Sequence, residues 1–380
     1  MHIGIPKEIK THEYRVSLTP DAAADLTENG HQVMVQTNAG DGVGFTDADY
    51  QAVGCTIAPD AKAVFDRTEL IVKVKEPQQV EYEMLRADHT LFTYLHLAAD
   101  KKQAEGLRRS GCTAIAYETI VGKNGGLPLL QPMSEVAGRM SVHVGANCLE
   151  RSKGGRGVLL GGVPGVAPAK VVILGGGVSG THAAQMAMGL RADVTIFDIS
   201  DERLNELDMV YGGRLKTEYS TKRAVANACM QADLIIGAVL VPGAAAPKLV
   251  TRDMVRTMKP GAVLVDIAID QGGCFETSYA TTHDNPTFEV DGIIHYCVAN
   301  MPGAVARTST FALVKSTLPY LRRLVDQGVH QALNADPGFA LGLNVAGGEI
   351  THAAVARDLE LPFQKPDWLN IPKTPNSAAF

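Results

Sequence analysis

A short apolar segment that runs directly into a glycine-rich turn is the feature that most restricts how this chain folds. Residues 171–174 are Val-Val-Ile-Leu, and residues 175–180 are Gly-Gly-Gly-Val-Ser-Gly. Gly175, Gly177 and Gly180 therefore have the spacing G-x-G-x-x-G, and Asp198 closes the next strand-like segment about 20 residues later. A glycine-rich turn alone also occurs in plain loops. A strand, this turn, a helix and a following acidic residue together predict a dinucleotide-binding βαβ unit.

Each part of this fingerprint has a physical role. Gly175 permits the tight turn, Gly177 lets the backbone approach a pyrophosphate, and Gly180 lets the helix pack closely on the strand. The helix N-terminus offers N–H groups and a partial positive charge to the phosphates. Asp198 is expected to accept hydrogen bonds from the ribose and to repel a 2′-phosphate, which predicts NAD rather than NADP. Two more residues of the turn are expected beside the pyrophosphate, Val178 and Ser179.

The composition argues against several classes of partner. The 380 residues carry a net charge of −6 without a basic run, which argues against nucleic acid. No apolar run reaches the length of a membrane span and no signal sequence is evident, so we predict a cytoplasmic protein without a membrane partner. The six cysteines are scattered without C-x-x-C spacing, which indicates reduced thiols, and no metal site is expected.

Strand-like and helical segments alternate in both halves of the chain, which is typical of parallel α/β sheets. The chain is also too long for one ordinary core, so we predict two doubly wound parallel-sheet (Rossmann-type) domains with an interdomain cleft. The predicted strands of the first half are Ile3–Ile5, His31–Gln36, Leu70–Val74, Leu91–Leu95 and Thr113–Tyr117. Those of the nucleotide-binding part are Val171–Leu174, Val194–Phe197, Thr217–Tyr219, Leu234–Ile236, Val263–Val265 and Ile293–Cys297.

Two predicted helices set the domain limits. A helix capped by Ser134 and extending to Leu149 leads into the nucleotide-binding part. The amphipathic segment Phe311–Val325 predicts a helix that crosses back to the first domain. We therefore expect residues 134–307 to form the NAD-binding domain, and residues 1–133 with 308–380 to form a discontinuous substrate domain.

Four side chains are candidates for chemistry on a substrate. Lys75, His96 and Asp270 each follow a predicted strand, at the edge where open α/β sheets bind ligands, and Arg15 follows the first strand. A guanidinium can clamp a carboxylate, an ammonium can hold a developing oxyanion, and an imidazole and a carboxylate can move protons or activate water. Each also has an ordinary alternative: a solvated arginine or lysine, a core histidine, or an aspartate that stabilises a turn. Lys73, two residues before Lys75, is expected to be the strand-end lysine that lies in solvent.

Several motifs occur in order along nearly the whole chain. They are Gly-Ile-Pro-Lys-Glu at 4–8, Arg-Val-Ser-Leu-Thr-Pro at 15–20, Val-Lys-Glu-Pro at 74–77, Tyr-Leu-His-Leu-Ala at 94–98, Gly-Gly-Val-Pro-Gly-Val at 161–166, Asp-Ile-Ala-Ile-Asp-Gln-Gly-Gly at 266–273 and Val-Ala-Asn-Met-Pro-Gly at 298–303. In these motifs the sequence resembles the alanine dehydrogenase and transhydrogenase α-subunit family, and the alanine dehydrogenase branch more closely.

The resemblance implies NAD-dependent oxidative deamination of L-alanine to pyruvate and ammonia, and the reverse reaction. It also implies a homo-oligomer, commonly a hexamer. Arg15 and Lys75 would then bind the substrate carboxylate, and His96 and Asp270 would handle the protons. Two residues are expected to line the substrate pocket, Tyr94 and Met133.

The same resemblance implies the remaining residues around the dinucleotide. Arg203 is expected to border the adenine, where its alternative is a solvated helix charge, and Ser134 is expected to reach the nicotinamide. The other residues expected around the cofactor are Ser220, Val239, Leu240, Ile267, Ala268, Ile269, Asp270, Val298, Ala299, Asn300 and Met301.

Two other functions fit parts of the sequence. One is the soluble NAD(H)-binding subunit of a transhydrogenase, which shares many motifs, although this chain keeps Arg15, Lys75, His96 and Asp270 together. The other is a non-catalytic NAD-binding redox sensor, which would not need groups that move protons. Dehydrogenases of the lysine or saccharopine type would be a substrate variant of the same class.

Overall fold

The computed structural model describes residues 1–239 and 246–370. Its strands are β1 (His2–Ile5), β2 (Gln32–Gln36), β3 (Thr56–Ala58), β4 (Leu70–Val72), β5 (Thr90–Thr93), β6 (Thr113–Ala116), β7 (Lys170–Leu174), β8 (Asp193–Asp198), β9 (Lys216–Tyr219), β10 (Leu234–Gly237), β11 (Val263–Asp266), β12 (Thr287–Val290), β13 (Ile293–Tyr296), β14 (Leu343–Ala346) and β15 (Glu349–Ile350).

The α-helices alternate with most of these strands. They are α1 (Pro20–Glu28), α2 (Asp47–Ala52), α3 (Ala61–Arg67), α4 (Gln79–Tyr82), α5 (Lys101–Ser110), α6 (Gln131–Cys148), α7 (Val178–Gly189), α8 (Asp201–Tyr211), α9 (Lys222–Gln231), α10 (Arg252–Thr257), α11 (Ala306–Gln327), α12 (Val329–Ala335), α13 (Pro337–Ala340) and α14 (Ala353–Asp358). Two compact units result. Unit 1 runs from Met1 to Pro132 and resumes at Val305, and unit 2 covers Met133–Ala304.

Unit 1 contains an eight-stranded sheet in the order β15-β14-β6-β5-β4-β1-β2-β3. Strands β1 to β6 are parallel, with Ile3 opposite both Val33 and Leu70. β14 pairs antiparallel with β6, and β15 pairs antiparallel with β14. The predicted parallel sheet is confirmed. The short strands β3, β14 and β15 were not expected, because segments of two to four residues carry little periodicity.

Unit 2 contains a seven-stranded sheet in the order β12-β13-β11-β10-β7-β8-β9. All neighbours are parallel except the pair of β12 and β13. β8 lies on one side of β7 and β10 on the other, so the strand order reverses at β7. Ligands of doubly wound sheets bind at such a switch point, outside the carboxyl ends of the strands. The glycine-rich turn follows β7 directly.

The helix ends follow from local sequence, with one correction. Thr19 caps α1 by accepting a hydrogen bond from the Ala22 N–H, and Pro20 is the first helical residue, as expected. The prediction that Ser134 caps a helix is wrong, because α6 begins at Gln131 and Ser134 lies inside its first turns. Pro132 permits the earlier start, since a proline near a helix N-terminus forfeits no intrahelical hydrogen bond.

The carboxyl-terminal part of the described chain packs onto unit 1. Helix α11 is longer than the predicted Phe311–Val325 and contains Pro319. The Trp368 ring stacks on His330 with 3.9 Å between ring centroids. Residues of β14, β15 and α14 join the hydrophobic core that also contains Ile71 and Leu91. Within residues 1–239 and 246–370, no helix combines the length and apolar character needed to cross a bilayer.

Candidate functional site

The carboxyl edge of the unit 1 sheet brings two of the predicted residues to neighbouring strand ends. Lys75 lies three residues beyond β4, and His96 lies three residues beyond β5. The Thr93 hydroxyl donates a hydrogen bond of 2.9 Å to the Lys75 carbonyl, and the Tyr94 N–H donates one of 3.3 Å to the Val74 carbonyl. These bonds continue the pairing of the two strands past their regular ends, so Lys75 and His96 occupy one edge.

Arg15 is buried rather than solvated. Its guanidinium Nε donates to Glu13 Oε1 at 2.7 Å, and Nη2 donates to Glu13 Oε2, so the carboxylate is held by a two-bond fork. Burial alone would lower the pKa of Arg15, but the hydrogen bonds and charge of Glu13 outweigh it and raise the pKa. The result is a permanent buried cation. Its partner Glu13 was not expected from the sequence.

Glu76 links the charges at this edge. Lys10 forms an ion pair with the Glu76 carboxylate. Burial raises the pKa of Glu76, but the positive charges of Lys75, Lys10 and His96 act more strongly together and lower it below the usual value. Glu76 therefore remains ionised near Lys75 and His96, and all these groups lie within electrostatic range of one another.

His96 has an exposed side chain on an unusual backbone. Its φ is 50°, in the left-handed region, and its N–H donates a hydrogen bond of 2.6 Å to Glu118 Oε1. The imidazole lies parallel to the Tyr94 ring, with 5.8 Å between centroids and 9° between planes. Tyr94 is itself buried, and its hydroxyl donates to the Leu129 carbonyl at 2.5 Å. Glu118 thus holds the backbone of His96, and Tyr94 lies beside its ring.

Lys73 does not lie in solvent, so that prediction is wrong. Its side chain is 0% exposed, and its Nζ lies 3.0 Å from Glu8 Oε2 and 2.7 Å from Glu81 Oε1. Burial lowers the pKa of Lys73, but the two carboxylates outweigh this and raise it. The two carboxylates offset the cost of burying the Lys73 ammonium. Neither carboxylate is adjacent to Lys73 in the sequence, so the local pattern does not predict the burial.

In unit 2, each of the three glycines of the G-x-G-x-x-G turn has a different structural setting. Gly175 has a φ of 102°, which residues with a side chain rarely adopt. A Cβ on Gly180 would lie 1.8 Å from the Gly175 carbonyl oxygen, so only glycine permits this packing of α7. A Cβ on Gly177 would meet nothing within 4 Å, so the space in front of the α7 N-terminus is open.

Asp198 ends β8 beside this turn. Its Oδ2 accepts a hydrogen bond of 2.6 Å from the Gly176 N–H, and its Oδ1 accepts one of 2.9 Å from Ser200. Each carboxylate oxygen has a second lone pair that can accept from another donor. The Ser220 N–H donates to the Asp198 carbonyl at 2.9 Å, which places Ser220 at the same strand edge.

Arg203 extends across the glycine turn. Its Nε donates to the Gly176 carbonyl at 2.7 Å, its Nη2 to the Thr181 hydroxyl at 2.7 Å, and its Nη1 to Glu206 at 2.6 Å. It is therefore more than a solvated helix charge, since it braces the loop. Val239 also borders the turn, because a Cβ on Gly175 would lie 3.0 Å from its Cγ2. Leu240 lies outside the described residues.

Asp270 belongs to a turn of 3₁₀-helix, Ile267–Gln271, that follows β11, and its side chain is exposed. Asp266 caps this turn by accepting from the Ala268 N–H, and it also binds the Ser278 hydroxyl at 2.6 Å. The capping role that was the alternative for Asp270 therefore belongs to Asp266. Ile267 and Ala268 are half-buried and Ile269 is buried.

The remaining predicted residues lie at the ends of β13 and α6. Val298 and Met301 are buried, whereas Ala299 and Asn300 are half-buried, with Asn300 in the left-handed region at φ 57°. Met133 is buried and Ser134 half-buried within α6. Among the residues that the structure describes, no group of three or more histidine, cysteine or acidic side chains is arranged to hold a metal ion.

Unit 2 therefore fits a dinucleotide by its own geometry. The open space at Gly177 faces the start of α7, a helix of 12 residues whose terminal N–H groups favour phosphate oxygens. The Asp198 carboxylate at the end of the neighbouring strand provides an acceptor for ribose hydroxyls.

Comparisons with known proteins agree with these geometries. The family model for the alanine dehydrogenase/PNT N-terminal domain matches residues 4–137, and that for the C-terminal domain matches residues 141–353. A curated alanine dehydrogenase from Halomonas elongata is 60% identical over 363 residues, which cover 96% of this chain and 98% of that protein.

Two solved structures extend the comparison. An L-alanine dehydrogenase has a TM-score of 0.92 and 54% identity, and the match covers 95% of this chain and 99% of the other. A transhydrogenase from Sinorhizobium meliloti has a TM-score of 0.79 at 24% identity, covering 93% and 100%, and so shares the fold. On the match of both family models, the chain belongs to the alanine dehydrogenase/PNT family.

Proposed function

We propose that this protein catalyses the NAD-dependent oxidative deamination of L-alanine to pyruvate and ammonia, and the reverse reductive amination. The observation that carries the proposal is the edge of the unit 1 sheet. The ammonium of Lys75 and the imidazole of His96 follow neighbouring strands there, and the buried guanidinium of Arg15 lies within electrostatic range of Tyr94. The names of the Halomonas elongata relative and of the solved L-alanine dehydrogenase support the choice of substrate.

The substrate carboxylate would bind to Arg15 and Lys75. A guanidinium offers several N–H donors in one plane, and Glu13 restrains the plane of Arg15 without removing its charge. Water screens the attraction between a buried guanidinium and an anion less than it screens the same attraction at an exposed surface. Lys75 adds a second cation, which would hold the carboxylate or the carbonyl oxygen that develops at Cα.

The imidazole of His96 would take and return protons at the substrate nitrogen and oxygen. Its backbone is held by Glu118 and its ring is parallel to Tyr94, so its orientation is restrained before the substrate binds. Asp270, which belongs to unit 2, would orient the water that attacks the imine. Tyr94 and Met133 would line the space for the small side chain.

The residues of unit 2 would hold the dinucleotide. NAD, when bound, would supply the acceptor for the hydrogen that leaves Cα as hydride. The pyrophosphate would lie at Gly177, Val178 and Ser179, and the ribose at Asp198. Around the rest of the cofactor we propose Ser134, Arg203, Ser220, Val239, Leu240, Ile267, Ala268, Ile269, Asp270, Val298, Ala299, Asn300 and Met301.

The choice of NAD over NADP rests on two side chains. Asp198 places a negative charge where a 2′-phosphate would lie. Arg203, the cation nearest this carboxylate along the chain, already donates to Gly176, Thr181 and Glu206. An arginine with these partners is poorly placed to receive a 2′-phosphate as well.

Assembly and location are further parts of the proposal. The family resemblance supports a homo-oligomer, in the form of a hexamer, and a cytoplasmic enzyme. Size-exclusion chromatography with light scattering would measure the assembly. A mass that corresponds to one chain would contradict it.

The transhydrogenase alternative receives less support, because its solved representative is 24% identical and the alanine dehydrogenases are 54–60% identical. The test is to incubate the purified protein with NAD and each of a panel of amino acids and to follow NADH formation. We expect L-alanine to give the highest kcat/KM, and pyruvate with ammonium to oxidise NADH. Hydride exchange between nucleotides without an amino-acid-dependent reaction would contradict the proposal.

A further inference from the structure

Glu8 connects the backbone and the side chain of the segment that leads to Lys75. Its Oε1 accepts a hydrogen bond of 2.6 Å from the Val74 N–H, and its Oε2 lies 3.0 Å from the Lys73 ammonium. Glu8 itself follows β1, the strand adjacent to β4. One carboxylate therefore joins two consecutive residues just beyond the end of β4.

Other hydrogen bonds fix the remaining groups of this segment. The Tyr117 hydroxyl donates to the Lys73 carbonyl at 3.0 Å, and the Thr93 hydroxyl donates to the Lys75 carbonyl at 2.9 Å. Thr93 belongs to β5, Tyr117 to the turn after β6, and Glu8 to the segment after β1, so residues from three other strands of the sheet hold this segment. Glu8 differs from Thr93 and Tyr117 because its carboxyl group accepts from a main-chain N–H and from a side chain together.

The cluster around Glu8 is costly to bury. Glu8, Glu13, Glu81, Lys73 and Arg15 are each at most 8% exposed, so three carboxylates share the interior with two cations. Burial raises the pKa of Glu8 to about 7 although Lys73 opposes the shift, and Glu81 and Glu13 add to it. Buried ion pairs contribute little net stability compared with apolar residues of the same volume. A role in geometry accounts for the cluster better than a role in stability.

We propose that Glu8 is a positioning residue for Lys75. By holding Lys73 and Val74 as one rigid unit, its carboxylate fixes the direction in which the next residue extends its ammonium. The inference rests on the proposed function only in assigning Lys75 to the substrate carboxylate. Glu8 itself would touch no substrate atom.

The test compares Glu8→Gln with Glu81→Gln as a matched control. Both substitutions remove one carboxylate from Lys73 and keep the size of the side chain, but Glu81 makes no contact with the Val74 N–H. We expect Glu8→Gln to raise the KM for pyruvate about tenfold, since a small misplacement of a binding group reduces effective binding strongly. The KM for NADH is expected to change less than about twofold in either variant.

A second variant of Glu8 keeps the proposal testable if Glu8→Gln does not fold. Glu8→Asp keeps the charge of the cluster but is one methylene shorter, so it cannot reach both Lys73 and Val74 in the present geometry. We expect it to raise the KM for pyruvate as Glu8→Gln does, and Glu81→Gln to leave this KM within about twofold of the wild-type value. Equal effects of Glu8→Gln and Glu81→Gln, or an unchanged KM in both Glu8 variants, would overturn the proposal.

Hydrogen–deuterium exchange separates this proposal from the function itself. In the protein without substrate, the Val74 amide should exchange faster in Glu8→Ala, which removes its side-chain acceptor, than in wild type or Glu81→Gln. Unchanged exchange would contradict the positioning role of Glu8 whether or not the protein oxidises L-alanine. If the wild-type protein shows no alanine-dependent activity but the Val74 amide still exchanges faster in Glu8→Ala, the proposed function is contradicted. The positioning role of Glu8 would then remain.

Discussion

The Glu118 carboxylate accepts the backbone N–H of His96 at 2.6 Å, at a residue whose φ is 50°. A left-handed conformation costs a residue with a side chain roughly 1–3 kcal/mol. Glu118 offsets part of this cost, and it also accepts from the Leu95 N–H at 3.2 Å. The placement of the imidazole therefore depends on a carboxylate from the turn after the neighbouring strand β6.

Replacing Glu118 with alanine is expected to lower kcat by roughly 10- to 100-fold, because the imidazole loses its fixed position. Glu118→Gln is the control, since its amide oxygen can still accept from His96. We expect it to keep most of the activity, as measured in NADH formation with saturating substrates. Equal losses in the two variants would show that the charge, and not the hydrogen bond, matters.

Arg15→Lys keeps a positive charge but loses the planar fork. We expect the KM for pyruvate to rise about 10- to 100-fold, the range for losing a charge-assisted hydrogen bond of about 1.5–3 kcal/mol. Steady-state kinetics with pyruvate and with NADH measure the two substrates separately. A comparable increase in the KM for NADH would contradict a specific role in carboxylate binding.

His96→Ala and Asp270→Asn are each expected to reduce turnover by about 100-fold or more, as for removal of a general acid or base. NADH binding should remain close to that of the wild type, because neither side chain contacts the phosphate-binding turn in this proposal. Fluorescence titration with NADH and stopped-assay turnover measure the two properties. Near-normal turnover in either variant would remove that residue from the mechanism.

Asp198→Ala is expected to lower the preference for NAD over NADP about tenfold or more, the factor that corresponds to 1.4 kcal/mol. The carboxylate also holds the Gly176 N–H, so the KM for both cofactors should rise. Asp198→Asn retains an acceptor for Gly176 and separates the two effects. An unchanged ratio of kcat/KM for NAD and NADP in both variants would exclude the ribose contact.

The pKa of Glu8 predicts a pH dependence of stability. Burial raises this pKa from its usual value of 4.5 to about 7 in the folded protein. A group with a raised folded-state pKa stabilises the fold while it is protonated, so this contribution is present below pH 4.5 and is lost as the pH rises through about 7.

The free energy of unfolding of Glu8→Gln, relative to wild type, should therefore increase as the pH rises through this range. Denaturant titrations at several pH values measure the difference. A difference that stays constant with pH would contradict the raised pKa. Lys73, Glu81 and Glu13 face Glu8 and remain in both proteins, so they serve as a common background.

Ligands of parallel sheets bind at the carboxyl ends of the strands, and this rule predicts much of the candidate site from sequence. Lys75, His96 and Asp198 follow or end buried apolar segments, and the structure places them at strand ends. The rule fails for Lys73, because its environment depends on Glu8, which is 65 positions away in the chain. Local patterns carry no information about such partners.

The same limitation explains the other differences. Glu13 and Glu76 lie in loops from which only Arg15 and Lys75 were predicted to act. Glu118 lies in the turn after β6, from which no site residue was predicted. An acidic residue in a loop is ordinarily expected to be exposed to solvent. Ser134 has the residue type of a helix cap, but the proline two residues earlier permits the helix to begin before it.

The antiparallel strand β14 has a consequence for how the chain matures on the ribosome. Its partner β6 is synthesised more than 200 residues earlier, and β14, β15 and α14 complete the core of unit 1. Throughout translation of unit 2, β6 is therefore an open sheet edge that can pair with a wrong strand. Nascent chains of this enzyme are expected to need protection at that edge until residue 346 has emerged from the exit tunnel.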